Sequence, residues 1–192
     1  MIQKEKLYKI NEIFYSLQGE GYYVGTPAVF VRFSGCNLNC TFCDTDHMSG
    51  VMMTVAEIIA EVSSFPARHV VLTGGEPSLY IDDRFVSALH SAGKYVAVET
   101  NGTRPVPDNV DWVTFSPKTE WTLGCCDELK VIYVCQDMSV YDGIIAAHRF
   151  LQPCDTGNQD RNMRLLHESI EYCKSHPEWR LSLQTHKLLG IR

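Results

Sequence analysis

Hydrophobic and polar positions along this chain follow two different periods. Short runs rich in β-branched and aromatic residues, at 28–33, 69–73, 95–99, 112–115, 130–134, 148–151 and 179–183, predict strands. Between some of them lie stretches with helical spacing. The clearest covers 54–63, where Thr54 and Glu57 stand in the capping-box relation, each side chain answering the other residue's free backbone N–H. A second covers 82–91 and stops at Gly93. A third, over 160–175, sets Met163, Leu166, Ile170 and Cys173 on one face and ends before Pro177. Alternation of strands and helices predicts an α/β fold whose parallel strands are covered by helices. Seven strands suggest a barrel, yet a complete eight-fold barrel takes about 250 residues and the links 101–111 and 116–128 carry no helical pattern. The expected architecture is a partial, incomplete TIM-like barrel with few covering helices, in one domain over residues 1–192.

Composition narrows the function. Of 192 residues, 45% are apolar and 21% charged, which excludes a disordered or collagen-like chain. A chain of this length buries roughly 70% of its extended surface and needs no disulfide or metal staple to fold. Seventeen basic residues against 23 acidic ones leave a net charge of −6 without a basic run, a poor match to a phosphate backbone. The first residues mix charges and lead into no apolar core, so a signal peptide is not expected. No apolar stretch reaches the ~18 residues of a membrane span, and the expected compartment is the cytoplasm. In a reducing compartment the eight cysteines do not read as four disulfides.

Three of those cysteines, Cys36, Cys40 and Cys43, form a CxxxCxxC on the loop after the strand at 28–33. Thiolates favour iron–sulfur clusters and zinc. Structural zinc and ferredoxin-type clusters both take four ligands, and no fourth cysteine follows at the expected spacing. Three ligands on a four-iron cluster leave one iron open, which a catalytic site requires. On spacing alone, a zinc knuckle or a chance grouping of buried thiols remains open. Thr73-Gly74-Gly75-Glu76-Pro77 follows at the end of the next long strand. Its glycines let backbone approach a ligand closely.

CxxxCxxC with an aromatic residue before its last cysteine, followed by Gly-Gly-Glu-Pro, resembles the signature of the radical S-adenosylmethionine (SAM) superfamily, whose partial barrel matches the one expected here. Ser16 to Gly21 (Ser-Leu-Gln-Gly-Glu-Gly), Phe30-Val31-Arg32, Cys43-Asp44-Thr45, Glu99-Thr100-Asn101-Gly102, Ser116-Pro117-Lys118 and Leu151-Gln152-Pro153 narrow the likeness. In order, they resemble motifs of the 7-carboxy-7-deazaguanine synthases, with a fainter echo in Gln184-Thr185-His186-Lys187. The resemblance implies a [4Fe–4S] cluster on Cys36, Cys40 and Cys43, and SAM surrounded by Phe42, Cys43, Asp44, Gly75, Ser116, Pro117, Lys118, Gln152, Pro153, Cys154 and Asp155, with Glu76 orienting its amino group through a charge-assisted hydrogen bond. It implies a pterin held by Leu17, Gln18, Gly19, Arg32 and Thr73, and a Mg²⁺ on Thr45. Glu99, at a strand end, is placed to reach the SAM ribose or to cap a neighbouring loop.

The implied reaction is a carbon–nitrogen lyase step on the route to queuosine and other 7-deazapurines. A 5′-deoxyadenosyl radical takes hydrogen from 6-carboxy-5,6,7,8-tetrahydropterin, the ring contracts, ammonia leaves, and SAM is regenerated. No side chain acts as nucleophile. A flavodoxin-type reductant and a homodimer are the implied partners, without nucleic acid or membrane. Plainer readings stand beside these. Gln18-Gly19-Glu20-Gly21 also suits a tight turn, Arg32 a buried ion pair, Thr45 a turn hydroxyl, and Lys118 a solvated charge. Asp46 and His47 read as polar surface rather than as a fourth ligand. Cys125, Cys126, Cys135, Cys154 and Cys173 read as ordinary buried or loop thiols. The rival functions are a glycyl-radical-enzyme activase and a non-catalytic iron–sulfur electron carrier or zinc module. The chain end at Arg192 lacks the terminal proline of some relatives, which leaves any substrate contact there open.

Overall fold

The computed structural model describes residues 5–192 apart from Asp44 and His47. Each strand that the apolar runs predict is present, and all seven lie parallel: β2 (Pro27–Phe33), β4 (His69–Gly74), β5 (Tyr95–Thr100), β6 (Trp112–Phe115), β7 (Cys125–Tyr133), β8 (Ile145–Pro153) and β9 (Trp179–Leu181). They are neighbours in that order. Two further strands, β1 (Leu7–Leu17) and β3 (Val51–Thr54), extend the β2 edge in antiparallel pairing. The result is an open sheet of nine strands, the incomplete barrel expected from the chain length.

The sequence reading missed β1 for an identifiable reason. Its pairing with β2 shifts between Ile10 and Glu12. A bulge adds one residue to the ladder and so reverses which face the following side chains meet. Tyr8 and Ile10 therefore pack outward, while Phe14 packs inward against Phe30. No single period of two runs through the strand.

Helices α1 (Val55–Ser63), α2 (Asp83–Ser91), α3 (Gln159–Ser175) and α4 (Thr185–Leu189) complete the chain. The capping box is formed: Glu57 N–H donates to Thr54 Oγ1 at 3.2 Å, and Thr54 N–H donates to Glu57 Oε2 at 2.7 Å. Gly93 follows α2 at φ 75°, a left-handed position that suits glycine. Helix α3 differs from expectation. Its buried positions are Leu165 and Ser169, while Met163 is exposed. The helix lies on β8 and β9 along a narrow seam, so the wider face that periodicity offers is only half used.

Alternation within the parallel strands builds two surfaces. Val29, Val31, Phe33, Val70, Leu72, Val96 and Val98 point outward and pack with Ile58 and Val62 of α1 and Phe85, Val86 and Leu89 of α2. Where the links carry no helix, loop residues Val106 and Val110, then Trp121 and Leu123, cover the sheet instead. The inward positions read differently. Ala28, Phe30, Val71 and Ala97 are apolar at mid-strand, but Arg32, Thr73, Glu99, Lys130 and Gln152 follow near the C-terminal ends. In a parallel sheet those ends lie on one rim, where such folds place their chemistry.

Candidate active site

That rim opens into a cavity of about 700 Å³. The loop after β2 brings Cys36, Cys40 and Cys43 to it; the turn after β4 brings Gly75 and Glu76; the link after β6 brings Ser116 and Lys118. Leu17, Gln18, Gly19, Arg32, Thr73, Glu99, Phe42, Thr45, Gln152, Pro153, Cys154 and Asp155 also line it. Of the residues expected at the site, Pro117 is buried and does not line the cavity, and Asp44 lies outside the described residues. His47 lies outside them too. Asp46 turns into its own loop, accepting from Met48 N–H at 2.9 Å and Ser49 Oγ at 3.2 Å.

The cysteine loop is tied to its neighbours by backbone and amide contacts. Gly75 N–H donates to Phe33 O at 2.9 Å, and Glu76 N–H to Gly35 O at 3.0 Å. A Cβ on Gly75 would overlap Gly35 O, so glycine is required by close approach rather than by flexibility. Asn101 Nδ2 donates to Asn37 Oδ1 at 3.1 Å, joining the loop after β5. Burial pushes the Cys36 and Cys40 thiols up, so binding a metal there must release their protons. Among the described residues no three Cys, His, Asp or Glu side chains converge on a point that one metal ion would occupy. The three thiols line one cavity.

Glu76 is 1% exposed and takes three donors: Ser78 N–H at 3.0 Å and Thr100 Oγ1 at 2.7 Å on one oxygen, Asn101 N–H at 2.7 Å on the other. Its carboxylate therefore braces the turn after β4 against the end of β5. Lys118 donates to Ser116 Oγ at 2.6 Å and stands 5.7 Å from the Phe42 ring. Burial, then the nearby Lys130 ammonium, pulls the Lys118 amine down to about 8. Asp155 is held at about 2 by hydrogen bonds from Gly157 N–H and Asn162 and by Lys187 at 3.1 Å.

On the opposite wall Arg32 pairs directly with Glu12 across the β1–β2 ladder, with Nε at 2.9 Å from Glu12 Oε1. Its Nη1 donates to Thr45 Oγ1 at 3.1 Å. The ion-pair reading of Arg32 is thus met, although Glu12 is half-buried rather than buried, and the guanidinium still faces the cavity. Arg192 also meets Glu12 and lies over the Phe14 ring, so the chain end reaches this wall.

Glu99 accepts from Gln18 Nε2 at 3.1 Å and from Thr73 Oγ1 at 2.9 Å. Lys130 lies 2.6 Å from Glu20 Oε2 and 3.6 Å from Glu99 Oε1. Burial opposes the Glu20 charge, but the Lys130 ammonium and hydrogen bonds outweigh it and hold the carboxyl at about 2. Burial likewise opposes the Lys130 charge; Glu20, Glu99 and Glu128 reverse the sign and hold its amine above the usual lysine range. Sequence reasoning missed Lys130, Glu20 and His186 as cavity residues. The available signal was a lone basic residue between apolar positions of β7, which no spacing rule distinguishes from a solvated one.

Against this geometry stand the likenesses to known proteins. Residues 30–115 match the Radical SAM superfamily. The chain is 60% identical over 186 residues to the 7-carboxy-7-deazaguanine synthase of Bacteroides thetaiotaomicron, covering 96% of this chain and 98% of the relative. It is 42% identical over 211 residues to the protein of the same name from Burkholderia multivorans, covering 96% and 99%. The crystal structure of QueE from Escherichia coli superposes with a TM-score of 0.77 at 30% identity, covering 94% of this chain and 95% of that one. The chain belongs to the 7-carboxy-7-deazaguanine synthase family.

As a member of that family it is a radical SAM enzyme, a lyase whose cofactors are a [4Fe–4S] cluster and SAM. The donor chemistry fits: three thiols face one cavity, and a close-packed glycine turn lies beside them. The glycyl-radical activase and the electron carrier are not favoured. Cys125 and Cys126 open β7 at the end of the sheet away from this cavity and are not among its lining. Burial pushes the Cys126 thiol to about 12, which suits an inert side chain.

Proposed function

We propose that this chain converts 6-carboxy-5,6,7,8-tetrahydropterin into 7-carboxy-7-deazaguanine with loss of ammonia, within queuosine and 7-deazapurine synthesis. The observation that carries this reading is the polar inner rim, Arg32, Thr73 and Glu99, facing the same cavity as the three thiols. A volume of about 700 Å³ lies within the range of cofactor and ligand sites. Cluster and SAM together supply the hydrogen-abstracting radical chemistry. The chain's residues bind and orient.

Cys36, Cys40 and Cys43 hold the cluster. Phe42, Asp44, Gly75, Glu76, Ser116, Pro117, Lys118 and the residues from Gln152 to Asp155 surround SAM, with Pro117 acting from beneath through its neighbours. Arg32 offers a planar fork to the substrate carboxylate. Thr45, beside it, would offer one oxygen to a Mg²⁺ that neutralises and positions the substrate carboxylate, hard oxygen ligands being the usual company of that ion. Leu17, Gln18, Gly19 and Thr73 line the pterin. Glu99 stands between Gln18 and Thr73, and we assign it to the substrate rather than to the SAM ribose. The continuous sheet supports one radical SAM domain. A flavodoxin-type electron donor, a homodimer and a cytoplasmic location complete the proposal; no helix among the described residues is long and apolar enough to cross a membrane.

The test is anaerobic turnover of cluster-reconstituted protein with SAM, reductant, Mg²⁺ and the carboxytetrahydropterin, read by mass spectrometry. Product with SAM not consumed stoichiometrically is expected. Release of 5′-deoxyadenosine without product would reject the substrate. Arg32→Lys, which keeps the charge and loses the fork, is expected to raise KM about tenfold or more with little change in kcat. An unchanged KM would restrict Arg32 to its pairing with Glu12.

A further inference from the structure

Lys130 is the most enclosed ammonium at the cavity, 5% exposed, and the binding roles above leave it without a task. It stands on β7 two residues after Glu128, so both side chains point to the sheet interior. Together they grip the segment between β1 and β2 that carries Gln18 and Gly19. Lys130 bonds the Glu20 carboxylate, while Glu128 accepts Tyr22 N–H at 2.9 Å. A Cβ on Gly21 would overlap the Glu128 carboxylate, so the segment lies flush against it. Below, the Tyr22 ring stacks on His148 at 4.4 Å and meets Trp112 at 5.0 Å, closing the sheet beneath the cavity.

The same ammonium faces Glu99 from β5. Lys130 therefore joins a carboxylate on the β1–β2 segment to one on a different strand. Both carboxylates line the cavity; besides the ammonium, Glu20 accepts from Gln184 Nε2, at 3.0 Å, and from Gln152, and Glu99 from Gln18 and Thr73. Glu20 and Glu99, on either side of one ammonium, offer carboxylate oxygens to the cavity, the acceptors that receive the N–H edge of a heterocycle. The charged groups around Lys130 are Glu20, Glu99 and Glu128, with Lys118 from the β6–β7 link.

We propose that Lys130 is a positioning residue, which acts on the reaction through Glu20 and Glu99 by fixing them as a matched pair of carboxylates on the substrate wall. This rests on the substrate reading above. Without the ammonium, Glu20 is a carboxylate in an enclosed site with no cation beside it, and such a group protonates rather than remain charged.

The experiment compares Lys130→Met, Lys130→Arg, Glu20→Gln and the double variant Lys130→Met/Glu20→Gln with the wild type. It uses reconstituted protein and reads KM and kcat for the pterin across pH, and SAM binding by equilibrium dialysis. Lys130→Met is expected to raise KM at least about tenfold and to give kcat/KM a new rise with pH, because Glu20 then ionises only at higher pH. SAM affinity stays within about twofold, and Lys130→Arg keeps the wild-type pH profile. The double variant loses the new pH limb and is less impaired than the sum of its parts, as coupled residues are. A Lys130→Met protein with wild-type KM and a flat profile would overturn the proposal, as would equal losses of SAM and pterin binding, which mark a general structural role. If Lys130→Met does not fold, Lys130→Arg and the double variant decide: a raised KM with intact SAM binding in the double variant supports the proposal, and a wild-type KM there overturns it. Failure of the wild type to turn over the pterin would instead count against the substrate reading.

Discussion

Cys40→Ala yields a folded protein that holds no [4Fe–4S] cluster and turns over no substrate above background. The expectation follows from counting ligands. Cys36, Cys40 and Cys43 are the thiols that line the cavity beside Cys154, and Cys154 is buried with its thiol against Asp155 O at 3.7 Å. With one of the three removed, two thiolates remain for a cluster that is held by three and needs its fourth iron open. The lost rate is the whole catalytic enhancement, about 10⁶-fold or more, because the protein supplies no nucleophile as a second route. The fold should survive. Cys40 lies on a loop that joins β2 to β3, outside the apolar clusters that hold the sheet. Iron and sulfide analysis, the charge-transfer absorbance and circular dichroism read the three parts of this statement. A variant that keeps four irons and turnover would show that another residue completes the cluster.

Glu76→Ala is expected to cost about 3 kcal/mol or more of stability and to loosen the SAM side of the cavity. Glu76 is almost fully buried, and its carboxyl oxygens satisfy the Thr100 hydroxyl and the Asn101 and Ser78 N–H groups. Removing it leaves buried donors without acceptors, at roughly 1–3 kcal/mol each. Glu76→Gln recovers only part, because an amide presents N–H where one of these donors needs a lone pair. Urea unfolding midpoints measure the loss. A cost under about 1 kcal/mol would mean the donors find other acceptors, such as water, in the variant.

These two residues also show why the site was partly legible in the amino-acid order. Cys36, Cys40 and Cys43 are close in sequence, so their shared direction follows from loop length alone. Gly75 and Glu76 stand beside a strand end whose apolar run is plain. Lys130 and Glu20 are 110 residues apart, and nothing local in either segment shows that they meet. The same limit applies to Glu12, whose place opposite Arg32 depends on the bulge that reverses β1 between Ile10 and Glu12. Met163 illustrates the opposite error: helical spacing assigns it to a buried face, but the seam against β8 and β9 is too narrow to use it.

By itself the amino-acid order determined the seven parallel strands, helices α1 to α3 with the capping box at Thr54 and the stop at Gly93, the incomplete barrel, the thiol triad and the family likeness, because each is written in neighbouring residues as period, spacing or motif. The tertiary structure decided which inward side chains collect at the strand ends. It also decided how Arg32 is shared among Glu12, Thr45 and the cavity, and that a buried ammonium on β7 holds carboxylates from a loop and from β5. Those outcomes rest on register, on strand order and on burial, which strengthens charge pairing only after the chain has excluded water from between the partners.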